Sequence, residues 1–281
     1  MKVAYEYNEL VEMIDSTLLA PTATEEQLQK LCDDAVKNKF KAVVVNPIHV
    51  KFCKKRLKDT LVKVCTVAGF PLGEDLPKVK LYSVKKACKA GAEEIDVVMC
   101  ISAAKAGRWA DVAKEIKKIV KAATGKRIVK VILETSYLTE EEIVKACQIC
   151  VEAGARFVKT SSGFAKTDDG RVIGATTEHV ALMWRAVDTQ LKQMSNKDDV
   201  KRCQIKAAGG IKTYEQALAL AEAGATRIGT SSAGEIAEEG RKFARIEELQ
   251  APDTDTVPPD ETVEAAPAAE ASADTAEKAQ E

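Results

Sequence analysis

Helical and extended hydrophobic patterns alternate along most of the chain. Amphipathic stretches precede short apolar runs, and the junction between them reads Ala-Gly-Ala at 90–92, 153–155 and 223–225. A glycine after a helical stretch is typical of a helix end, and a short apolar run after it is typical of a buried strand. Strands separated by helices pair in parallel, so the pattern predicts an α/β fold.

The pattern predicts eight strands, each followed by a helix. The predicted strands are Met13–Asp15, Ala42–Asn46, Val62–Ala68, Glu94–Val98, Ile128–Glu134, Arg156–Thr160, Gln204–Ala207 and Arg227–Gly229. The predicted helices are Thr24–Lys37, His49–Lys58, Leu76–Lys89, Arg108–Ala122, Thr139–Glu152, Thr176–Lys192, Thr213–Glu222 and one from about Ser232. Thr24 with Gln27 and Thr139 with Glu142 fit capping boxes at two of the helix starts.

Eight strand–helix units in 281 residues predict a closed (β/α)8 TIM barrel, a fold that typically takes about 250 residues. An open doubly wound sheet is the alternative, but no G-x-G-x-x-G follows the first strand.

The composition changes after about Leu249. Nine acidic residues, one lysine and four prolines follow, with only Val257 and Val263 to bury besides alanine. Such a segment cannot offset its ordering entropy. We therefore predict a barrel domain over 1–248 and a disordered acidic tail over 249–281. Because the whole chain has a formal net charge of −1, the barrel has an excess of basic residues, which suits anionic small molecules.

Other features narrow the class of protein. No apolar run approaches the roughly 18 residues that span a bilayer, and no signal peptide is evident. The eight cysteines lack framework spacing, which favours reduced thiols in the cytoplasm. His49 and His179 lack ligand spacing, so neither a metal nor a cofactor is expected. No nucleic-acid module is predicted, so the expected partner is a small molecule and neither nucleic acid nor a membrane.

Two lysines lie at the ends of predicted strands. Lys159 is followed by Thr-Ser-Ser-Gly, and Lys206 by Ala-Ala-Gly-Gly. Burial lowers the pKa of a lysine, and a partly neutral amine can form a Schiff base with a carbonyl substrate. A lone lysine more often extends its amine into water. Two lysines in the same setting favour a catalytic role over that arrangement.

Asp96 is flanked by Ile95 and Val97, so strand alternation directs its carboxylate into the barrel. A buried carboxylate needs a partner, and a lysine from a nearby strand is the natural one. A purely structural Asp–Lys pair is the alternative.

Three loops at the ends of strands six, seven and eight are rich in glycine and hydroxyl groups. They are Ser161-Ser162-Gly163, Gly209-Gly210 and Gly229-Thr230-Ser231-Ser232. Such loops and helix starts bind phosphate in barrels. Glu134 follows strand five, and we expect it to hydrogen-bond within its loop rather than act as a second acid.

These segments resemble the signature segments of the deoxyribose-phosphate aldolase family. The resemblance is carried by Phe157–Phe164, Ile205–Ile211, Glu94–Val98, Ile14–Leu19 and Gly229–Ser232. It implies a TIM barrel and a metal-independent class I aldolase of deoxyribose catabolism. Such an enzyme reversibly cleaves 2-deoxy-D-ribose 5-phosphate to D-glyceraldehyde 3-phosphate and acetaldehyde. A homo-oligomer, a dimer or a tetramer, is the expected assembly.

The resemblance also implies roles for individual residues. Lys159 would form the Schiff base, Lys206 would lower its pKa, and Asp96 would relay protons with Lys206 through a water. Asp15 and Thr17 match positions near the substrate hydroxyls. The positions that match phosphate-binding residues are Gly163, Gly209, Gly210, Ser231 and Ser232.

The chain departs from the family pattern at two places. Phe164 stands where some members have a lysine, and no tyrosine follows Tyr214 to assist proton transfer from the tail. Two other readings stay open. One is a different Schiff-base barrel, such as a transaldolase-like or keto-acid aldolase, and the other is a barrel that binds a sugar phosphate without turning it over.

Overall fold

Eight parallel strands close into a barrel in a computed structural model, which describes residues 5–123, 125, 127–194 and 203–250. The strands pair in sequence order, and β1 closes the barrel against β8. The strands are β1 (Ile14–Leu18), β2 (Ala42–Val45), β3 (Lys63–Ala68), β4 (Glu94–Val98), β5 (Ile128–Ile132), β6 (Phe157–Lys159), β7 (Gln204–Ala208) and β8 (Arg227–Thr230). The predicted TIM barrel is confirmed.

Helices follow the strands around the barrel. In the described part of the chain they are α1 (Tyr7–Glu12), α2 (Glu25–Lys37), α3 (Val50–Arg56), α4 (Pro77–Ala90), α5 (Ile101–Lys105), α6 (Trp109–Ala122), α7 (Glu140–Glu152), α8 (Thr177–Gln193), α9 (Tyr214–Glu222) and α10 (Ala233–Gln250). Two 3-10 turns, Pro47–His49 and Thr135–Tyr137, lie between them. The prediction missed α1 and α5, which have only six and five residues and too few turns to show a period.

The two predicted capping boxes are present. Thr24 Oγ1 accepts from the Gln27 N–H, and Gln27 Oε1 accepts from the Thr24 N–H. Thr139 and Glu142 make the same reciprocal pair. Each box satisfies two N–H groups that a helix start leaves without a partner, so it fixes where α2 and α7 begin.

The predicted tail is mostly outside the described residues. Helix α10 extends to Gln250, so the first two residues assigned to the tail belong to this helix. Residues 251–281 are not described, and the disorder predicted for them stays a prediction. No helix among the described residues is long and apolar enough to cross a membrane.

The strands bury both of their faces. Val43 and Val45 belong to the large apolar cluster between the barrel and the helices, whereas Ala42 and Val44 belong to a separate small cluster. Cys65 and Val67 of β3 complete that small cluster. Because side chains alternate along a strand, the small cluster lies inside the barrel. One part of the interior is therefore apolar, and ionisable side chains from the other strands fill the rest.

Candidate functional site

Seven ionisable side chains meet inside the barrel, each at most 5% exposed. They come from five strands besides β4, which supplies two, and they carry opposite charges within contact distance. They are Asp15, Glu94, Asp96, Lys130, Lys159, Lys206 and Arg227. Buried charges of this kind need partners, because the protein interior solvates them poorly.

Asp96 lies at the centre of this cluster. Its Oδ2 accepts hydrogen bonds from Lys159 Nζ at 3.0 Å and from Lys206 Nζ at 2.9 Å. Its Oδ1 accepts one from Lys130 Nζ at 3.0 Å. Three neighbouring lysines hold the pKa of Asp96 well below its usual range, although burial alone would raise it. The structure therefore brings together Asp96, Lys159 and Lys206 as the sequence predicted.

Lys159 is the lysine whose charge this site disfavours. Burial lowers its pKa, Asp96 opposes that shift, and the positive charge of Lys206 adds to it. The net direction is downward, which increases the fraction of neutral amine. Burial is therefore the larger cause, and Lys206 is a secondary one.

Lys206 keeps its proton. Its Nζ lies 2.5 Å from Asp15 Oδ2 as well as 2.9 Å from Asp96. Burial alone would lower the pKa of Lys206, but the two carboxylates outweigh it and raise the pKa. Two lysines on adjacent strands, paired in register, thus have their pKa values moved in opposite directions.

Asp15 belongs to the same ion-pair network. It is fully buried, and its Oδ1 accepts from Arg227 Nη1 at 2.8 Å. Arg227 and Lys206 lower the pKa of Asp15 despite its burial. Thr17, two residues along β1, donates its hydroxyl to the Asp15 backbone carbonyl at 3.0 Å.

The sequence analysis did not identify three charged members of the cluster. Lys130 of β5 pairs in register with Asp96, and its Nζ lies 2.5 Å from Glu94. Glu94 also accepts from Arg227. The signal was available for Lys130: it lies between Val129 and Val131, so the alternation that places Asp96 inside the barrel places Lys130 there too.

The charges in the cluster balance when Lys159 is neutral. Three carboxylates face three cations that keep their charge. The carboxylates are Asp15, Glu94 and Asp96, and the cations are Lys130, Lys206 and Arg227. Protonating Lys159 adds an unbalanced positive charge to a buried site, which is unfavourable. Charge balance and the direction of the Lys159 pKa shift therefore agree.

The glycine loops pack backbone against backbone at the carboxyl end of the barrel. Gly163, Gly209 and Gly210 all have positive φ, a conformation that side chains disfavour. A Cβ added at Gly174 would meet the Gly209 carbonyl oxygen at 2.0 Å. The Ala175 N–H, beside it, donates to the Ala208 carbonyl. Gly174, which the sequence analysis did not select, thus lets the loop after β6 dock on the loop after β7.

The last predicted loop leads from β8 into α10. The Ser232 N–H donates to Thr230 Oγ1, and the Ser232 carbonyl accepts from the Ile236 N–H in the first turn of the helix. Ser231 is exposed at this junction. The N-terminal end of a helix carries partial positive charge and favours anions.

The Glu134 carboxylate bonds across to the loop after β6, and not within its own loop as predicted. Its Oε2 accepts from the Ser162 N–H at 3.1 Å, and burial raises the pKa of Glu134. Phe164 is 47% exposed and packs edge-on against Phe70 at 5.2 Å. Glu134, Ser162 and Phe164 line a cavity of about 460 Å³ above the carboxyl ends of β3 to β6.

Comparison with known proteins gives a consistent result. The family model described as "DeoC/LacD family aldolase" matches residues 10–237. The deoxyribose-phosphate aldolase of Carboxydothermus hydrogenoformans is 48% identical over 79% of this chain and 91% of its own. That of Thermococcus gammatolerans is 48% identical over 83% of this chain and 97% of its own. A solved tetrameric deoxyribose phosphate aldolase from Aeropyrum pernix is 32% identical, with a TM-score of 0.71 over 85% of this chain and 93% of that one.

Proposed function

The chain belongs to the DeoC/LacD family of aldolases, and we propose that it is a class I aldolase of 2-deoxy-D-ribose 5-phosphate. The reaction is reversible cleavage to D-glyceraldehyde 3-phosphate and acetaldehyde. The observation that carries this proposal is the buried Lys159 amine, whose pKa is lowered and which lies 3.0 Å from Asp96. The substrate class is supported by the names of the relatives, which cover most of the chain.

The first step forms an imine. The neutral Lys159 amine attacks the C1 aldehyde, and the resulting carbinolamine loses its hydroxyl as water after a proton is delivered to it. Charged Lys206 can supply a proton, and Asp96, which contacts both lysines, can pass it on. We assign Asp96 and Lys206 to this proton relay, with a water between relay and substrate.

The second step breaks the C2–C3 bond. A base removes the proton of the C3 hydroxyl, the C3 oxygen becomes a carbonyl, and the bonding electrons move into the cationic iminium. The products are glyceraldehyde 3-phosphate and a neutral enamine on Lys159. Protonation of the enamine at C2 and addition of water then release acetaldehyde and restore the amine.

The phosphate is assigned to the glycine and serine loops. The residues proposed to bind it are Gly163, Gly209, Gly210, Ser231 and Ser232. Support comes from the positive φ of the three glycines and from the start of α10 directly after Ser232. Because Phe164 carries no charge, backbone N–H groups and hydroxyls supply the contacts. Asp15 and Thr17, both on β1, are assigned to the substrate-hydroxyl end.

A homo-oligomer is the proposed assembly. Leu72, Leu76, Val79 and Tyr82 are between 46% and 73% exposed along and just before α4, and exposed apolar patches often mark contacts between proteins. The Aeropyrum pernix relative is tetrameric. Sedimentation velocity of the wild type and of Leu76→Glu tests this, and a monomeric wild type would refute it. We also propose the cytoplasm, supported by eight free cysteines.

The decisive experiment traps the imine. The protein is treated with borohydride and deoxyribose 5-phosphate, and the modified residue is located by mass spectrometry in wild type and in Lys159→Ala. We expect a stable adduct on Lys159 that is missing from the variant. A folded wild type without any adduct would refute the aldolase and leave a phosphate-binding barrel. An adduct that forms with a keto acid but not with deoxyribose 5-phosphate would identify another Schiff-base aldolase.

A further inference from the structure

The proposed reaction leaves one buried lysine of the barrel without a role. Lys130 is fully buried on β5, and its Nζ contacts groups on three other strands. It lies 3.0 Å from Asp96 Oδ1, 2.5 Å from Glu94 Oε2 and 3.7 Å from Asp15 Oδ2. The Cys65 thiol lies 3.3 Å away and itself donates to Asp96 Oδ1 at 3.2 Å.

These contacts divide the Asp96 carboxylate into two sides. Lys130 and Cys65 occupy Oδ1, whereas Lys159 and Lys206 share Oδ2. A carboxylate held at one oxygen cannot rotate freely, so the other oxygen is fixed toward the reacting amine. Without Lys130, Asp96 could turn Oδ1 toward the other lysines and lose that orientation.

Lys130 also maintains the charge balance. If its charge were removed, the remaining cations, Lys206 and Arg227, would face three carboxylates. A proton on Lys159 would then restore neutrality. Charged or titratable groups from six strands and one loop surround Lys159. They are Asp15 on β1, Cys65 on β3, Glu94 and Asp96 on β4, Lys130 on β5, Glu134 after it, Lys206 on β7 and Arg227 on β8.

We propose that Lys130 is a positioning residue for the imine chemistry: it fixes Asp96 Oδ2 toward Lys159 and Lys206, and its charge keeps Lys159 in the amine form. This inference rests on the proposed function, since it concerns the same reaction. Among the charges around Asp96, the positive charge of Lys130 does most to lower the pKa of that carboxyl. A purely structural Lys130 would only neutralise Glu94 and Asp15, and its loss would affect folding without changing how activity depends on pH.

The test compares Lys130→Met with Lys80→Met. Lys80 is an equally buried lysine that pairs with Glu115 and the Val98 carbonyl between α4 and α6, outside the barrel interior. Both variants remove a buried amine at similar volume. For each, we measure kcat and kcat/KM for deoxyribose 5-phosphate between pH 5 and 10, and borohydride trapping at Lys159 over the same range.

We expect Lys130→Met to move the acidic limb of the kcat/KM profile and of imine trapping to higher pH by about one unit, a tenfold loss at a pH below the limb. Lys80→Met loses stability but keeps the wild-type profile. A folded Lys130→Met with an unshifted profile overturns the inference. Imine trapping separates the two ideas: an adduct on wild-type Lys159 upholds the proposed function whether or not Lys130 shifts its pH dependence.

A second variant tests the inference if Lys130→Met does not fold. Lys130→Met with Glu94→Gln removes both partners of the short ion pair, so no carboxylate of that pair is left alone and the charges still balance. Since the profile should then stay near wild type, the expected effect is a kcat reduced about tenfold or more with little change in KM, because Asp96 has lost its hold at Oδ1. A folded double variant with wild-type kcat overturns the positioning role.

Discussion

At the scale of single residues, the chemistry depends on which of the two lysines has the lower pKa and can be neutral. Lys159 and Lys206 share one oxygen of Asp96, yet Lys206 has a second carboxylate within 2.5 Å and Lys159 does not. Desolvation acts on both amines. The number of carboxylate partners therefore decides which lysine stays charged and which becomes the nucleophile.

Lys206→Ala tests the electrostatic coupling between the two lysines. Removing the positive charge should raise the pKa of Lys159, since that charge disfavours protonation of its neighbour. The acidic limb of the pH–rate profile should move up by about one unit, together with a loss of kcat. Lys206→Arg keeps the charge and serves as the control. A Lys206→Ala profile that matches wild type in a folded protein would refute the coupling.

Phe164→Lys tests how the phosphate is held. A cation beside the glycine loops should lower KM for deoxyribose 5-phosphate by roughly three- to tenfold, a modest gain because position 164 is half exposed. Phe164→Gln, which adds no charge, controls for loss of the aromatic ring. Unphosphorylated deoxyribose is the second control, and an equal gain with that sugar would show that the phosphate is bound elsewhere.

At the scale of the elements, the loops after β6 and β7 form one unit. Gly174→Ala should place a Cβ against the Gly209 carbonyl and force the two loops apart. We expect a loss of about 1–3 kcal/mol in the free energy of unfolding and a higher KM, measured by urea denaturation and by kinetics.

Gly234→Ala is the matched control for that loop, because a Cβ at Gly234 meets nothing within 4 Å and the residue lies in α10. This variant should keep its KM and gain slightly in stability. If both variants behave alike, close packing at Gly174 does not matter.

The elements themselves were largely predictable, because hydrophobic period and turn residues are local signals. The strand order followed from the count of eight strand–helix units, which close into a barrel in sequence order. The helices that the prediction missed are short: α1 and α5 have too few turns to show a hydrophobic period. The predicted first strand, Met13–Asp15, covers only the start of β1, because the polar residues Ser16 and Thr17 continue it.

The candidate site was predictable in part. Lys159 and Lys206 were found beside glycine-containing loops, and Asp96 was found because strand alternation directs it into the barrel. The same alternation applies to Lys130, but a charged residue within an apolar strand, such as Lys130 or Arg227, does not reveal which charges from other strands it meets. That information comes only from the register of the closed barrel.

At the scale of the whole molecule, the buried charges tie stability to pH. The pKa values of Asp15 and Asp96 lie below that of an unfolded aspartate, so they stabilise the fold above that value and lose this contribution as pH falls through the folded pKa. The free energy of unfolding should therefore decrease progressively below about pH 4.

Chemical denaturation at several pH values measures this slope. Asp34→Asn, which removes only the exposed pair with Lys30, should leave the slope nearly unchanged because exposed pairs contribute little. A wild-type stability that is flat down to pH 2 would contradict the prediction. It would mean that the pKa values of Asp15 and Asp96 are not lower in the folded state than in the unfolded chain.

The balance of charges inside the barrel bears on the bond that breaks as well as on the amine that attacks. An iminium on Lys159 carries the same positive charge as a protonated lysine, so it too leaves the interior with one cation in excess. Cleavage of C2–C3 converts that iminium into an uncharged enamine and passes the positive charge, as the C3 hydroxyl proton, to the base, so the excess is removed when that proton leaves the interior. The cluster thus favours carbon–carbon cleavage electrostatically, because the iminium that precedes cleavage is the covalent intermediate that the buried charges destabilise most.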